Sequence, residues 1–258
     1  MLKPKVCVLR TAGTNCDCET TAAFLLAGAQ AEQVHINSLL NDHKLLNDFH
    51  ILALPGGFSY GDDIASGKIF ANQLRFKLID SLRKFIGGGK LIIGICNGFQ
   101  ILVKSGLLPG AANLNQTTSL MINDSAKFES RWVYLKPANS GCVWTKGINK
   151  TIYLPVAHGE GKFMVADNQV LNRLKRHHQI VFKYADKEGN VCGYPGNPNG
   201  SIENIAGICD ETGRIFGLMP HPERHIFAAQ HPRKDAQKEE VNGLQIFKNG
   251  VDFIKNNF

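Results

Sequence analysis

Short, almost fully apolar segments alternate with amphipathic segments along the first hundred residues of the chain. The apolar segments predict β-strands at 5–9, 32–36, 50–54 and 90–95. Between them, the spacing of apolar residues predicts helices over 20–29 and 74–86, and the glycine triplet 87–89 ends the second helix. Buried parallel strands are continuously apolar, so this alternation predicts an α/β fold with a mostly parallel, doubly wound sheet and helices on both faces.

The pattern changes after about residue 110, where short strand-like segments are separated by turn residues. These segments predict strands at 131–137, 141–145, 150–158 and 161–165. A helix is predicted near 168–177, and a hairpin is predicted from 205–210 and 213–220. The chain closes with an amphipathic helix whose apolar face carries Leu244, Phe247, Val251 and Ile254. We interpret residues 1–258 as one α/β domain with an added strand-rich portion.

Composition excludes several classes of protein. Of 258 residues, 43% are apolar and 20% are charged, which is typical of a soluble globular protein. No apolar run reaches the ~18 residues of a membrane span, and the N-terminus lacks a signal-peptide core, so we expect a cytoplasmic protein with no membrane partner. Seven cysteines, with no CxxC motif, predict free thiols and no metal site.

The formal net charge of +7 raises the alternative of nucleic-acid binding. However, the basic residues are scattered along the chain, and the densest run, at 172–178, falls in the predicted helix. We interpret that run as a solvated helix face and expect no nucleic-acid partner. An anionic substrate or partner remains compatible with the charge.

The first candidate for chemistry is Cys96, in the segment LIIGICNGFQ at 91–100. An apolar strand ends at Ile95 and a helix begins almost at once, so the chain must turn within Cys96–Gly98. A sharp strand-to-helix turn presents one side chain on a strained, exposed corner at the positive end of a helix. A thiol there is accessible and favoured as a nucleophile. The alternative is a buried cysteine with a packing role only.

Two further segments are expected at the same edge of the sheet. Pro55–Gly57 follows the strand at 50–54, and glycine there lets backbone N–H groups approach a ligand, as an oxyanion hole requires. The last predicted strand ends at His221, and Glu223 follows two residues later, a spacing that places both side chains on one face. Cysteine, histidine and a carboxylate together predict acyl-transfer chemistry. Taken singly, each segment also fits an ordinary turn.

Four segments carry a resemblance to a known family: GICNGFQ at 94–100, PGGFSYGD at 55–62, PVAHGEG at 155–161 and MPHPER at 219–224. Together they resemble the class I glutamine amidotransferases, which have a flavodoxin-like α/β fold. They are most similar to the glutaminase subunits of phosphoribosylformylglycinamidine synthase. The resemblance extends over nearly the whole chain. It implies an enzyme of purine synthesis that hydrolyses L-glutamine and delivers ammonia.

The resemblance also implies a role for each matching residue. Cys96 corresponds to the nucleophile, His221 to the base and Glu223 to its carboxylate partner. Gly57 and the backbone of Asn97 correspond to the oxyanion hole. Gln100 corresponds to a residue of the glutamine pocket.

The implied partners are a synthetase subunit that uses ATP and Mg with formylglycinamide ribonucleotide, and a small bridging subunit. This chain is expected to hold no cofactor of its own, and it contains no GxxxxGK[ST] motif for ATP.

Some alternatives stay open at this point. His158, near Glu160, is a rival base, although the resemblance assigns the base to His221 and favours the interface or the site mouth for His158. Asn199 and Ser201 are weaker candidates for substrate or interface contacts. The amino-acid sequences of segments 61–70 and 225–241 differ from those usual in the family. Alternative functions are the glutaminase subunit of another class I amidotransferase, or a cysteine hydrolase of similar fold.

Overall fold

The structure, a computed structural model, describes residues 2–110, 114–232 and 242–258. The helices of these residues are α1 (Asp17–Leu26), α2 (Ile36–Asn41), α3 (Lys68–Lys77), α4 (Ile79–Gly87), α5 (Asn97–Lys104), α6 (Asn168–Arg176) and α7 (Asn242–Asn257). The strands are β1 (Lys5–Arg10), β2 (Gln30–His35), β3 (Ile51–Leu54), β4 (Leu91–Ile95), β5 (Thr118–Met121), β6 (Glu129–Pro137), β7 (Ile152–His158), β8 (Lys162–Val165), β9 (Ile180–Ala185), β10 (Ile205–Cys209) and β11 (Ile215–Leu218).

Most strands join one mixed sheet, in the order β2-β1-β3-β4-β11-β10-β9-β6-β7. The first five strands of this order run parallel, and β10, β9, β6 and β7 continue the sheet in antiparallel pairing. Strands β5 and β8 form a separate antiparallel pair. The predicted α/β class with a strand-rich addition is confirmed, and the addition extends the main sheet.

The centre of the main sheet is fully buried. Every residue of β3, β4, β10 and β11 is buried, which explains why these strands are continuously apolar. The helices pack in two groups, α1 against α7 and α3 against α5. The predicted apolar face of α7 is confirmed, since Phe247, Val251 and Ile254 are buried. Within the described residues, no helix has the length and apolar character needed to cross a bilayer.

The antiparallel part of the sheet contacts the parallel part again, at the carboxyl ends of the parallel strands. Strand β7 is the last strand of the sheet, four places beyond β11 in the strand order. Even so, the backbone N–H of His221, just after β11, donates to the carbonyl oxygen of Pro155 in β7 at 2.8 Å. The thiol of Cys96, just after β4, donates to the carbonyl oxygen of Ala157 at 3.6 Å. The end of β7 therefore closes over the carboxyl ends of β4 and β11.

Three local predictions were wrong or incomplete. The helix predicted over 74–86 is two helices, α3 and α4, separated at Leu78, whose φ of −117° and ψ of 6° are not helical. The strand predicted over 141–145 is a 3-10 turn at Val143–Thr145, in which Trp144 is buried against Phe24 of α1. Strands β5 and β9 and helix α2 were not predicted.

Two predictions on extent remain as they were. The interpretation of residues 1–258 as one domain stays a prediction. Of the divergent segment 225–241, residues 233–241 lie outside the described residues.

Candidate active site

Cys96 occupies a strained turn between β4 and α5. Its φ of 51° and ψ of −106° lie in a region that residues with a Cβ seldom adopt, as predicted for a nucleophile elbow. The thiol, however, is only 6% exposed, so the predicted exposed corner is wrong. The end of β7 covers it, as the contact with Ala157 shows. The strained turn places the sulfur at the N-terminus of α5, whose first N–H groups have no partner within the helix.

Gly98 explains the shortness of this turn. A side chain at Gly98 would overlap the carbonyl oxygen of Leu54, the last residue of β3. Helix α5 therefore packs directly on the end of the neighbouring strand, and only glycine permits that approach. The glycine two residues after the cysteine is thus a packing requirement of the elbow.

The predicted oxyanion turn lies beside the elbow. Gly57 has a φ of 143°, and a Cβ there would meet Asn15 N and Gly13 O at 2.7 Å. Thr14 and Gly57 form an isolated bridge, and beside it the N–H of Phe58 donates to Gly13 O and the N–H of Cys16 donates to Gly56 O. The loop after β1 therefore supports the turn after β3. This arrangement is compatible with the Gly57 N–H serving as an oxyanion donor.

His221 and Glu223 form a buried pair after β11. The imidazole Nδ1 lies 2.6 Å from Glu223 Oε1, so the ring donates a short hydrogen bond to the carboxylate. Their side chains are 2% and 0% exposed. Glu223 lies in a 3-10 turn, Pro222–Arg224, that starts directly after His221. The spacing predicted from the sequence does bring the two side chains together, although through a turn and not a regular strand.

The surroundings of His221 favour its protonated form. Burial alone would lower the pKa of the imidazole, but the negative charge of Glu223 and, next, that of Cys96 hold this pKa well above its ordinary value. The influence of Cys96 on this pKa places its sulfur near the imidazole, whose Nε2 has no hydrogen-bond partner within the described residues. Cys96, His221 and Glu223 therefore converge at one edge of the sheet, as their types and spacing predict.

Asn97 and Gln100 fasten the elbow to two neighbouring loops. Asn97 Oδ1 accepts from the backbone N–H of Ser59, and its Nδ2 donates to Asp62 Oδ1 at 3.2 Å and to Gln100 Oε1 at 2.9 Å. Gln100 Nε2 in turn donates to the carbonyl oxygen of Glu160 at 2.6 Å. The Gln100 side chain thus orders the loop after β7, while its assignment to the glutamine pocket stays a prediction.

His158, the rival base, lies at the end of β7 and is 3% exposed. Burial, and then the charge of His221, lower the pKa of His158 to about 4, so its imidazole is neutral at physiological pH. Its Nδ1 lies 3.1 Å from Asn123 Oδ1, and among the described residues no carboxylate is bonded to the ring. Its Nε2, like that of His221, has no hydrogen-bond partner there. The lowered pKa of His158 and the carboxylate partner of His221 favour His221 as the base.

Asn199 and Ser201 bond to each other and to residues of β8 and β9. Ser201 Oγ donates to Asn199 Oδ1 at 2.7 Å and accepts from the backbone N–H of Phe163. Asn199 Nδ2 donates to the hydroxyl of Tyr184 at 3.2 Å. Both side chains are buried, so the geometry favours a structural role for them.

The sequence interpretation missed Cys16 and Arg224. Cys16 Sγ lies 4.0 Å from His221 Nδ1, and Arg224 Nη2 donates to the same sulfur at 3.2 Å. Cys16 comes shortly after β1, and the carboxyl end of β1 lies at the same edge of the sheet as those of β3, β4 and β11. This position in the sequence could have indicated that Cys16 lies near the site.

Cys16, His221 and Glu223 also present three potential metal-ligand atoms within 4.8 Å of one another. Since Nδ1 already donates to Glu223 and a guanidinium contacts the sulfur, this cluster is better suited to orienting His221 than to binding a cation.

Comparisons with known proteins agree with this geometry. The CobB/CobQ-like glutamine amidotransferase domain matches residues 3–254. The chain is 51% identical to phosphoribosylformylglycinamidine synthase subunit PurQ of Dehalococcoides mccartyi, over 99% of each chain. It is 48% identical to PurQ of Methanococcus maripaludis, over 97% of each. It matches a solved structure of PurLQS from Thermotoga maritima with a TM-score of 0.75 and 33% identity, over 98% of this chain and 100% of that one.

These similarities span essentially the full chain and hold in both sequence and fold. They confirm the resemblance, the fold class and the glutamine amidotransferase function that the motifs predict. The catalytic and binding roles of individual residues stay predictions that the geometry supports. The chain belongs to the CobB/CobQ-like glutamine amidotransferase family and, within it, to the PurQ-type subunits.

Proposed function

We propose that this chain hydrolyses L-glutamine through Cys96, His221 and Glu223 and supplies ammonia to a synthetase subunit of phosphoribosylformylglycinamidine synthase. That partner converts formylglycinamide ribonucleotide to formylglycinamidine ribonucleotide. The observation that carries the proposal is the buried His221–Glu223 pair, with 2.6 Å between Nδ1 and Oε1, beside the strained Cys96 turn. PurQ-type relatives of matching length support the choice of synthase.

The first half-reaction forms a thioester. The Cys96 thiolate attacks the side-chain amide carbon of glutamine, and the developing oxyanion accepts hydrogen bonds from backbone N–H groups of Gly57 and Asn97. Protonated His221 then donates its proton to the leaving nitrogen, and ammonia departs. Glu223 stabilises the imidazolium before this transfer and fixes the orientation of the ring. The raised pKa of His221 suits it to hold that proton in the resting enzyme.

The second half-reaction releases glutamate. After proton transfer the His221 ring is neutral, and it can remove a proton from a water molecule that attacks the thioester carbon. Collapse of the second tetrahedral intermediate restores the Cys96 thiolate and the protonated ring. The thiol is nearly enclosed, so we expect the mouth formed by the end of β7 to open when glutamine enters.

The ammonia is consumed outside this chain in the proposed enzyme. We assign the ATP- and Mg-dependent step to the synthetase subunit and expect a small bridging subunit in the complex. The similarity to PurLQS supports a multisubunit assembly. The cytoplasmic location and the lack of a nucleic-acid partner stay predictions from the sequence.

An electrophilic analogue of glutamine should label Cys96 before any other of the seven cysteines. The reason is that only Cys96 combines a helix N-terminus, a strained turn and a nearby imidazole, while Cys7 and Cys209 are buried in strands. Mass spectrometry of the digested protein at partial labelling measures the order. Glutamine added in excess should slow the labelling of Cys96 specifically. Preferential labelling at Cys7 or Cys142 would contradict the assignment.

A further inference from the structure

Cys16 lies between a cation and the His221–Glu223 pair. Its thiol donates to Asn15 Oδ1 at 3.1 Å and accepts from Arg224 Nη2 at 3.2 Å, and it is 1% exposed. Burial raises the pKa of this thiol, so it stays protonated and remains a donor at neutral pH. The backbone N–H of Cys16 donates to Gly56 O at 3.2 Å, which fixes the sulfur beside the triad.

Gly56 lies against both the Cys16 sulfur and the His221 ring. A Cβ at Gly56 would meet His221 Cε1 at 2.7 Å and Cys16 Sγ at 3.1 Å. The backbone of the predicted oxyanion turn therefore packs against both side chains. Cys16 touches the turn after β3 and the triad at the same time.

Arg224 makes its hydrogen bonds to groups other than the neighbouring Glu223 carboxylate. Its Nε donates to Glu19 Oε2 at 3.0 Å, and its Nη2 donates to the Cys16 sulfur. Glu223 Oε2, in contrast, is buried and has no hydrogen-bond partner within the described residues, although Arg224 is close enough to sense the charge of Glu223. The other oxygen of Glu223 serves His221 alone.

We infer that Cys16 is a positioning residue for the triad, whose thiol holds Arg224 off Glu223 so that the carboxylate charge acts on His221. Without the sulfur, the guanidinium loses one of its two acceptors and can turn to the free Oε2 atom. A carboxylate shared with a guanidinium attracts an imidazolium less strongly. Proton transfer from His221 would then be impaired, although Cys16 itself touches no reacting atom.

The charge arrangement around His221 gives the direction of the effect. The titratable and charged groups near it are Glu223 and Arg224 on its own segment, Cys96 before α5, His158 at the end of β7, and Cys16 before α1. His158 is neutral at physiological pH, so it does not change across the relevant range. Weakening the influence of Glu223 lowers the pKa of His221. The alkaline limb of glutaminase activity, which reports loss of the imidazolium proton, therefore moves to lower pH.

The experiment measures kcat and KM for glutamine against pH, with the synthetase complex assembled. Cys16→Ala should lower kcat by roughly tenfold or more, since small errors in the placement of catalytic groups are costly. It should change KM little and move the alkaline limb to lower pH. The double variant Cys16→Ala with Arg224→Gln should return the limb toward its wild-type position, because the competing cation is gone.

Cys7→Ala is the matched control. Cys7 is a fully buried thiol in β1, away from the triad, so its loss tests the effect of removing a buried sulfur on stability alone. We expect Cys7→Ala to lower the melting temperature and to leave the pH profile unchanged. Cys16→Ser keeps an acceptor for Arg224 and should retain the wild-type pH profile. Cys16→Val, which has no acceptor, provides a second variant if Cys16→Ala folds poorly.

The inference rests on the proposed roles of Cys96 and His221, and two readouts separate its failure from theirs. If the wild-type complex does not hydrolyse glutamine, the proposed function fails. The pH dependence of Cys96 alkylation by iodoacetamide still reports the Cys96–His221 pair and should shift in Cys16→Ala. An unchanged pH profile in folded Cys16→Ala would overturn the inference. A shifted limb that Arg224→Gln fails to restore would overturn it too.

Discussion

Cys96→Ala should abolish glutamine hydrolysis while the assembled complex continues to make product from added ammonia. We assign thioester formation to this thiol, and losing a nucleophile of this kind costs at least roughly 1,000-fold in turnover. In the proposed enzyme, the ammonia-dependent reaction takes place at the synthetase site and needs no thiol in this chain. The measurement compares product formation with glutamine and with ammonium salt as nitrogen source, on the same preparation of complex.

Two controls make the Cys96→Ala result interpretable. Circular dichroism and co-purification with the synthetase subunit must show that the variant is folded and assembled. Cys18→Ala removes an exposed thiol near the site loop and should leave both activities intact. If ammonia-driven synthesis disappeared together with glutamine-driven synthesis in a folded, assembled Cys96→Ala complex, the proposed division between subunits would be wrong.

His221→Asn should lower glutamine turnover by at least roughly the hundredfold that is typical of losing a general acid–base group. His158→Asn should leave turnover within about tenfold of wild type, because a neutral, buried imidazole supplies no proton to the leaving group. Glu223→Gln should fall between them, since the ring remains but its cationic form loses its buried partner. Turnover of each variant is measured alone and with saturating synthetase.

The two histidine variants are each other's control, since both rings are buried and both are replaced by the same residue. A changed ratio of glutamine hydrolysis to product formation in His158→Asn would support its predicted place at the site mouth or interface. If His158→Asn were inactive and His221→Asn nearly normal, the role of the base would have to be assigned to His158 instead. The role of Cys96 would survive that outcome, but the role of the His221–Glu223 pair would not.

The parallel part of the fold could be predicted because its strands are buried on both faces. Strands β3 and β4 are short runs of apolar residues, and burial of every position leaves no other pattern. The break at Leu78 could not be seen, because Leu74, Leu78, Leu82 and Phe85 are all buried and the helical spacing continues across it. Strand β9 was missed because Lys183 interrupts its apolar run.

The features of the site that depend on residues close together in the sequence could be predicted. The strained Cys96 turn follows from a strand and a helix joined without a loop, and the His221–Glu223 pair follows from a two-residue spacing. The enclosure of the thiol could not be predicted, because it depends on β7 returning from the far end of the sheet. Cys16 was missed for the same kind of reason, since more than two hundred residues separate it from Arg224 and His221.

The measurement that tests the central claim most directly is the trapping of the glutamyl thioester. Wild-type complex is mixed with isotopically labelled glutamine, quenched with acid within the first turnover, digested and examined by mass spectrometry. A labelled glutamyl group on the peptide that contains Cys96 is the predicted result, and it should be absent from Cys96→Ala. Turnover without any adduct at Cys96, or an adduct on another of the seven cysteines, would contradict the account.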